Sequence, residues 1–444
     1  MQTRKLFELF LALGPTSAVV AQEPPAAVLE AWFAKPPTER GALPNAEMPL
    51  SRRDAEALVP QLWAACRAGA AQRAEDTLPA LQPDELEKAL EPTVLQIGAH
   101  AMPYVLLCKG EKPPGGWPLF LCLHGGGGNA EAKGPHAWEV NSREWQAQKI
   151  LFQRVYQPAG LYLIPRMADD RQGRWYFDHN QQAFEELITK CLLFREVDAN
   201  RVYLMGISEG GYGAIRFAGN RPDRFAATGG MAAAEPLGTS PPENMRNLGL
   251  RIDIGERDTL FDRIGLARRM GERLAELRAA DPQGYDFVVN VQAGRGHGID
   301  YSQTPPWLAA RVRNPRPTRV VWTVQPFHTT VELQRYWLAL DERPASMPLY
   351  LSATLRENQL HVTVEVEANE PGAGRVAAAG GTLRIRLDDR LADLDAPIEI
   401  TVNGRERSAV QVVRRLEVMA RTLTERLDPS YCFAAEIALD LAGS

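Results

Sequence analysis

Apolar positions change their rhythm three times along this chain. From Leu50 to about Leu90 they recur at partly amphipathic helical spacing, with Leu58, Leu62, Trp63 and Cys66 in step and Ser51 placed as an N-cap. Pro79 and Pro83 interrupt that pattern, and it ends before Pro92. A Pro- and Ala-rich stretch precedes it. So few apolar side chains cannot close a core alone, so the extension spanning 22–92 is expected to pack on the neighbouring domain.

From Thr93 short apolar runs alternate with longer helical ones. Met102 to Cys108, Trp117 to Leu123, Gly160 to Pro165, Arg201 to Gly206, Phe225 to Met231, Arg251 to Gly255 and Asp286 to Gln292 read as strands. Helical patterns over 142–156, 180–197 and 266–280 lie between them at crossover lengths. This alternation predicts an α/β region over 93–312, with a mostly parallel sheet covered on both faces. Beyond Pro315 the period drops to two. V-V-W-T-V, Q-R-Y-W-L-A-L, L-H-V-T-V-E-V, T-L-R-I-R-L and I-E-I-T-V predict an antiparallel β-rich domain over 313–444, with a hairpin turn at Asn403-Gly404 and a polar or mildly helical interruption around 416–427.

The first residues change the expected compartment. Arg4 and Lys5 precede a mostly apolar run ending in Val19, Val20 and Ala21, the layout of a secretory signal over 1–21, although Glu8 and Gly14-Pro15 depart from it. A periplasmic or secreted product is expected. No later segment has eighteen consecutive apolar residues, so no transmembrane span is predicted. The 50 basic and 55 acidic side chains leave a formal charge of -5, which argues against a nucleic-acid partner. Five cysteines occur without a C-x-x-C pair. Cys108 and Cys122 are expected on neighbouring strands, where a disulfide stays open, but buried core thiols are the preferred reading.

Candidate chemistry concentrates at four places. In R-V-Y-L-M-G-I-S-E-G-G-Y-G, Gly206 and Gly210 flank Ser208 after an apolar strand and before a helical stretch, which would let a strand turn abruptly and expose a nucleophilic hydroxyl. In L-F-L-C-L-H-G-G-G-G-N, His124 and Gly125 to Gly128 follow a buried strand, as a loop that turns backbone N–H groups toward an oxyanion should. The N–H groups of Gly126, Gly127 and Glu209 are the expected oxyanion donors, with His124, Gly125 and Gly128 completing the glycine loop. A serine at neutral pH needs a base, and the base needs orienting. His297, in a glycine-bearing loop after the last strand of the α/β region, is the candidate base. Asp258, after the strand before it, is the preferred acid over Glu256, Asp253 and Asp262.

These pieces together resemble the α/β-hydrolase superfamily, in particular bacterial polyhydroxybutyrate-depolymerase-like and feruloyl-esterase-like enzymes and the catalytic domain of prolyl oligopeptidases. The resemblance covers 93–312 strongly and the tail only through its pattern and phrases such as F-H-T-T-V-E-L-Q-R-Y-W-L. It implies an α/β-hydrolase fold with an N-terminal helical extension and a C-terminal β-rich domain. It also implies Ser208 as nucleophile, His297 as base, Asp258 as orienting acid, and an acyl-enzyme on the way to ester hydrolysis, with no cofactor or metal.

The substrate would be a small-molecule or polymeric ester; peptide cleavage and a non-catalytic binding role are the alternatives. Glu209 departs from the small or neutral residue more usual after the nucleophile. Trp138, Trp145, Trp175, Tyr176 and Phe177 are candidates for a pocket wall or for ordinary core, and the segment from Ala232 to Asn247 for a short loop shaping the pocket. Asp169, Asp170 and Asp178 near His179 read as a solvated loop rather than a metal site. The C-terminal domain would contact polysaccharide or polymer if it carries an exposed aromatic row, or serve packing if its apolar surface is buried against 93–312.

Overall fold

The computed structural model describes residues 26–83, 91–370, 373–378 and 380–441, so the signal read over 1–21 lies outside the described residues. A central mixed β-sheet flanked by helices is followed by a mostly antiparallel β-rich region. The sheet is built from β1 (Thr93–Ile97), β2 (His100–Lys109), β3 (Trp117–Leu123), β4 (Gly160–Pro165), β5 (Val197–Ile207), β6 (Ala227–Met231), β7 (Gly249–Gly255) and β8 (Phe287–Gln292). Their spatial order is β1-β2-β4-β3-β5-β6-β7-β8, with β2 antiparallel to both neighbours and the strands from β4 through β8 parallel. Two residues, Gln82 and Pro83, pair in parallel with β2. The helical pattern expected to reach them stops at Gln72, and the chain runs on extended to the sheet.

β3 shows why such strands read as unbroken apolar runs. Every residue from Trp117 to Leu123 is buried, because both faces of the sheet are covered. Leu119, Leu121 and Leu123 face a core shared with α4 (Asp178–Phe194), α5 (Glu209–Asn220) and α6 (Arg263–Ala280). Phe120 and Cys122 face the opposite core, shared with α3 (Glu139–Arg154) and α7 (Thr304–Ala309). The strand order corrects one expectation. β4 lies between β2 and β3, so Cys108 and Cys122 are not on neighbouring strands, and no disulfide forms among the five cysteines.

In the C-terminal region one sheet runs β9 (Arg319–Val324), then β11 (Leu349–Arg356), β12 (Gln359–Glu367), β14 (Ile398–Val402) and β15 (Arg405–Val410). A second contains β10 (Leu338–Leu340), β13 (Thr382–Leu387) and β16 (Ala435–Asp440). Trp322, Leu351 and Val364 of the first share one core with Leu383, Ile385 and Ile437 of the second. Asn403-Gly404 forms the expected turn, pairing Val402 with Arg405. The purely antiparallel expectation fails at one pair among the described residues: β12 and β14 run parallel, because the chain crosses to the second sheet as β13 between them.

The N-terminal helices have too small an apolar face to stand alone. α1 (Ala26–Phe33) and α2 (Arg52–Gln72) join Leu193 of α4 and α8 (Leu416–Arg426) in one cluster, so the extension packs on both later regions. The β-rich region is fastened to the α/β region in two ways. A short hairpin at 326–331 sets the Phe327 ring edge-on to Phe217 of α5, 4.9 Å between centroids, while its carbonyl accepts from Gln181 of α4 at 3.0 Å. Nearby, buried charges pair across the seam: Arg426 donates to Asp223 at 2.8 Å, and Arg224 pairs with Asp428 at 3.5 Å. Among the described residues the exposed large apolar side chains of the β-rich region are Val376 and Val413, with no aromatic among them.

Candidate active site

β5 ends beside β3 in the middle of the sheet, and its last residue Ile207 delivers Ser208 onto a tight corner before α5. Ser208 has φ 52° and ψ -114°, a strained conformation for a residue with a side chain, costing about 1–3 kcal/mol. The corner closes only because its flanks are glycine. A Cβ on Gly206 would lie 2.2 Å from the Gly210 carbonyl carbon, and one on Gly210 would lie 2.2 Å from the Leu123 oxygen. The Ser208 N–H donates to the Met231 carbonyl of β6 at 2.8 Å, and its own carbonyl accepts from Tyr212 one turn into α5 at 3.0 Å. The hydroxyl is thus presented from a fixed backbone.

The loops after β7 and β8 bring two more side chains to it. His297 Nε2 is 3.1 Å from Ser208 Oγ, and His297 Nδ1 is 2.7 Å from Asp258 Oδ2. Asp258 is buried, whereas the His297 side chain is 47 % exposed, so the serine and imidazole open onto the surface. The rival acids are engaged elsewhere. Asp253 is fully buried with Arg251, Asn290 and Thr304; Glu256 accepts from the Gly294 N–H; Asp262 pairs with Arg269 on the surface. A hydroxyl, an imidazole and a carboxylate in this order can pass a proton from oxygen to nitrogen while the carboxylate holds the ring and offsets its charge.

The glycine loop lies against this group. His124 is buried; its Nδ1 is 2.6 Å from the Gly125 carbonyl and its Nε2 accepts from the Met167 N–H at 3.0 Å. Burial drives its pKa down to about 3, which keeps the ring neutral and able to make both contacts. Gly126 and Gly127 adopt φ 99° and 134°, out of reach of other residue types. Asn141 of α3 brackets Gly127 from both sides, accepting from its N–H at 3.1 Å and donating to its carbonyl at 2.9 Å. The Gly127 N–H is therefore committed to Asn141. Glu209 stands at the first position of α5, where backbone N–H groups have no partner within the helix.

Asn141 also donates to Asp170 at 2.7 Å, and Asp170 accepts two hydrogen bonds from Arg166, at 2.8 and 2.9 Å. This overturns the reading of the Asp169-Asp170 stretch as a solvated loop. Both carboxylates are buried: Asp170 anchors the glycine loop through Asn141, and Asp169 pairs with Arg171. No group of residues suited to a metal ion occurs among the described residues. Asp178 instead accepts from Thr329 and pairs with His328 across the seam, at 3.0 Å.

The aromatic candidates divide. Trp175 is fully buried and donates to the His124 carbonyl at 2.9 Å, and Trp145 donates to the Ile164 carbonyl at 3.1 Å, so both serve the core and the loop scaffold. Trp138 leads into α3 with its N–H on Asp170. Tyr176 lies against the Arg216 guanidinium, 3.8 Å away, and Phe177 stacks on His328 at 4.3 Å. The segment 232–247 packs down rather than forming a free flap. Ser240 donates to Ile215 of α5 at 2.5 Å, Asn244 to Gly219 at 2.6 Å, and the segment reaches the surface at 236–239 and, in part, at Glu243 and Asn247.

Glu209 carries the unusual side chain. It is buried, pairs with the half-exposed Arg174, and leaves Oε1 without a hydrogen-bond partner. Burial pushes its pKa up to about 7 although Arg174 opposes the shift. Two further contacts have no motif in the sequence to announce them: Arg263 donates to Asp258 Oδ1 at 2.9 Å and to the Tyr212 hydroxyl at 2.5 Å.

No family model matches the chain. Over 136 residues it is 32 % identical to a protein of Nocardia uniformis subsp. tsuyamanensis provisionally named esterase NocK, a match covering 31 % of this chain and 38 % of that one. Among solved structures, a ferulic acid esterase aligns at 17 % identity and TM-score 0.35 over 50 % of this chain and 98 % of its own. S-formylglutathione hydrolase from Agrobacterium tumefaciens aligns at 15 % identity and TM-score 0.35 over 50 % and 94 %. Strand order gives this chain an α/β-hydrolase type of fold, and the segment matched by NocK spans well under two thirds of that protein.

Proposed function

We propose that the protein is a serine hydrolase that cleaves carboxylic esters through an acyl-enzyme. The observation that carries this reading is the unbroken contact chain from Ser208 Oγ to His297 Nε2, 3.1 Å, and from His297 Nδ1 to Asp258, 2.7 Å. Ser208 attacks the ester carbonyl as its proton passes to His297. The oxyanion is met by the Gly126 and Glu209 N–H groups, His297 returns the proton to the leaving alcohol, and water releases the acid by the same steps. The similarity to NocK supports an ester substrate, and the N-terminal pattern over 1–21 supports action outside the cytoplasm.

The test is fluorophosphonate labelling and p-nitrophenyl acetate turnover of the full chain and of Ser208→Ala. Labelling should disappear in the variant and kcat should fall by about 10⁴-fold or more. A folded wild-type protein that neither labels nor turns over would end the reading.

A further inference from the structure

Asp258 accepts on both oxygens: Oδ2 faces His297 at 2.7 Å, and Oδ1 receives Arg263 Nη1 at 2.9 Å. Arg263 opens α6 and its side chain is only 7 % exposed. Its Nε donates to the hydroxyl of Tyr212 at 2.5 Å, and Tyr212 sits on the first turn of α5, its N–H on the Ser208 carbonyl. One guanidinium therefore links the acid to the helix that begins at the nucleophile. The approach is enforced locally: the chain turns through left-handed conformations at Phe261 (φ 56°) and Asp262 (φ 55°), and the Ile264 N–H returns to the Asp258 carbonyl at 3.2 Å.

We propose that Arg263 is a positioning residue for this site: it locks the second oxygen of Asp258, ties the acid loop to the nucleophile helix through Tyr212, and holds a fixed positive charge behind the Asp258–His297 pair. The inference rests on the assignment of Ser208, His297 and Asp258 made above. A carboxylate behind an imidazole has two effects: it orients the ring and it favours the charged ring. A buried cation on its far oxygen strengthens the first effect and weakens the second, since it opposes an imidazolium.

Other charged groups surround the pair. Glu209 of α5 and Glu235, which pairs with Arg216, lie near Tyr212, and Glu144 of α3 lies near Tyr301. Arg257 and Arg295 meet through their backbones beside the acid and base loops, and Asp262 is held by Arg269. Arg263 is the cation in direct contact with Asp258 among the described residues, so its loss should move the acid side of the profile.

The experiment measures the rate of fluorophosphonate labelling against pH for the full chain and for Arg263→Met, Arg263→Gln, Arg263→Lys and Tyr212→Phe, each checked for native circular dichroism. Wild-type labelling that fails, or that persists in Ser208→Ala, defeats the underlying assignment before any variant is compared. With that in hand, Arg263→Met and Arg263→Gln should label about tenfold more slowly at neutral pH, with the acid-side midpoint raised by about half to one pH unit. Arg263→Lys should restore the wild-type midpoint, and Tyr212→Phe should slow labelling while leaving it in place. An unchanged midpoint in a folded neutral variant would overturn the proposal, as would failure of both neutral variants to fold, which would make Arg263 a folding residue only.

Discussion

The surface around Ser208 and the seam around Asp223 and Asp428 solve opposite problems. At the first, backbone atoms must come unusually close and point outward, so glycine does the work. Gly206, Gly210 and Gly126 permit contacts any side chain would block, and the acid–base pair stays partly open to water. At the second, charged side chains are withdrawn from water altogether. Arg313, Asp223, Asp428 and Arg335 are all nearly or fully buried; Asp223 is held by Arg426 and Arg335 from the β-rich side, and Asp428 by Arg224 from the α/β side with Arg313 beside it. The difference shows where this chain stores strain and where it stores specificity. Ser208 holds backbone strain at the reacting corner, whereas desolvated ion pairs fix how the β-rich region sits.

The seam should break hardest. Asp428→Ala leaves Arg313 buried without its carboxylate and should cost about 3–5 kcal/mol in chemical denaturation, because an uncompensated buried charge remains. Burial alone would raise the Asp428 and Asp223 carboxyls, but the surrounding guanidiniums outweigh it and hold both below their ordinary range. Their stabilisation is therefore present above the unfolded carboxylate range and lost as pH falls through the lower folded values, which acid unfolding of wild type against Asp428→Ala will reveal.

The glycine loop should yield a smaller effect, in activity first. Asn141→Ala frees Gly127 at both ends and strips Asp170 of one donor, so kcat should fall about ten- to a hundredfold with KM nearly unchanged, read by ester turnover.

The smallest effect should come from Glu209. Its folded value of about 7 lies above its ordinary 4.5, so between these the native state keeps a proton that the unfolded chain has released. Stability must then decline as pH rises through that window. Glu209→Gln should flatten the decline, by about 1 kcal/mol between pH 5 and 7.5 in calorimetry.

Sequence reading reached the parts of the site governed by backbone necessity. A glycine two residues either side of a serine, or four in a row after an apolar strand, is forced by geometry, and chain order pointed to the three residues the structure brings into contact. It missed what depends on side chains meeting across long separations. Nothing in R-I-G-L-A marks Arg263 as a partner of Tyr212, 51 positions away, and Asn141 looks like any polar residue on a helix until it is seen against Gly127. The Asp169-Asp170 stretch misled for the same reason, since acidic residues after a strand look solvated unless Arg166 is known to fold back on them. Strand neighbours were similarly hidden: consecutive strands suggested that β2 and β3 touch, but the crossover inserts β4 between them.

The hairpin at Phe327 has a consequence for how such a chain can change over generations. Its ring lies edge-on to Phe217, its carbonyl holds Gln181, and a few residues away Asn244 both donates to and accepts from the Thr323 backbone. A recombination event that exchanged the tail would leave helices α4 and α5 with unmatched surfaces directly behind the serine. The two halves are thus expected to be inherited together, and a grafted tail would have to bring residues at 323 and 327 that match Gln181, Phe217 and Asn244.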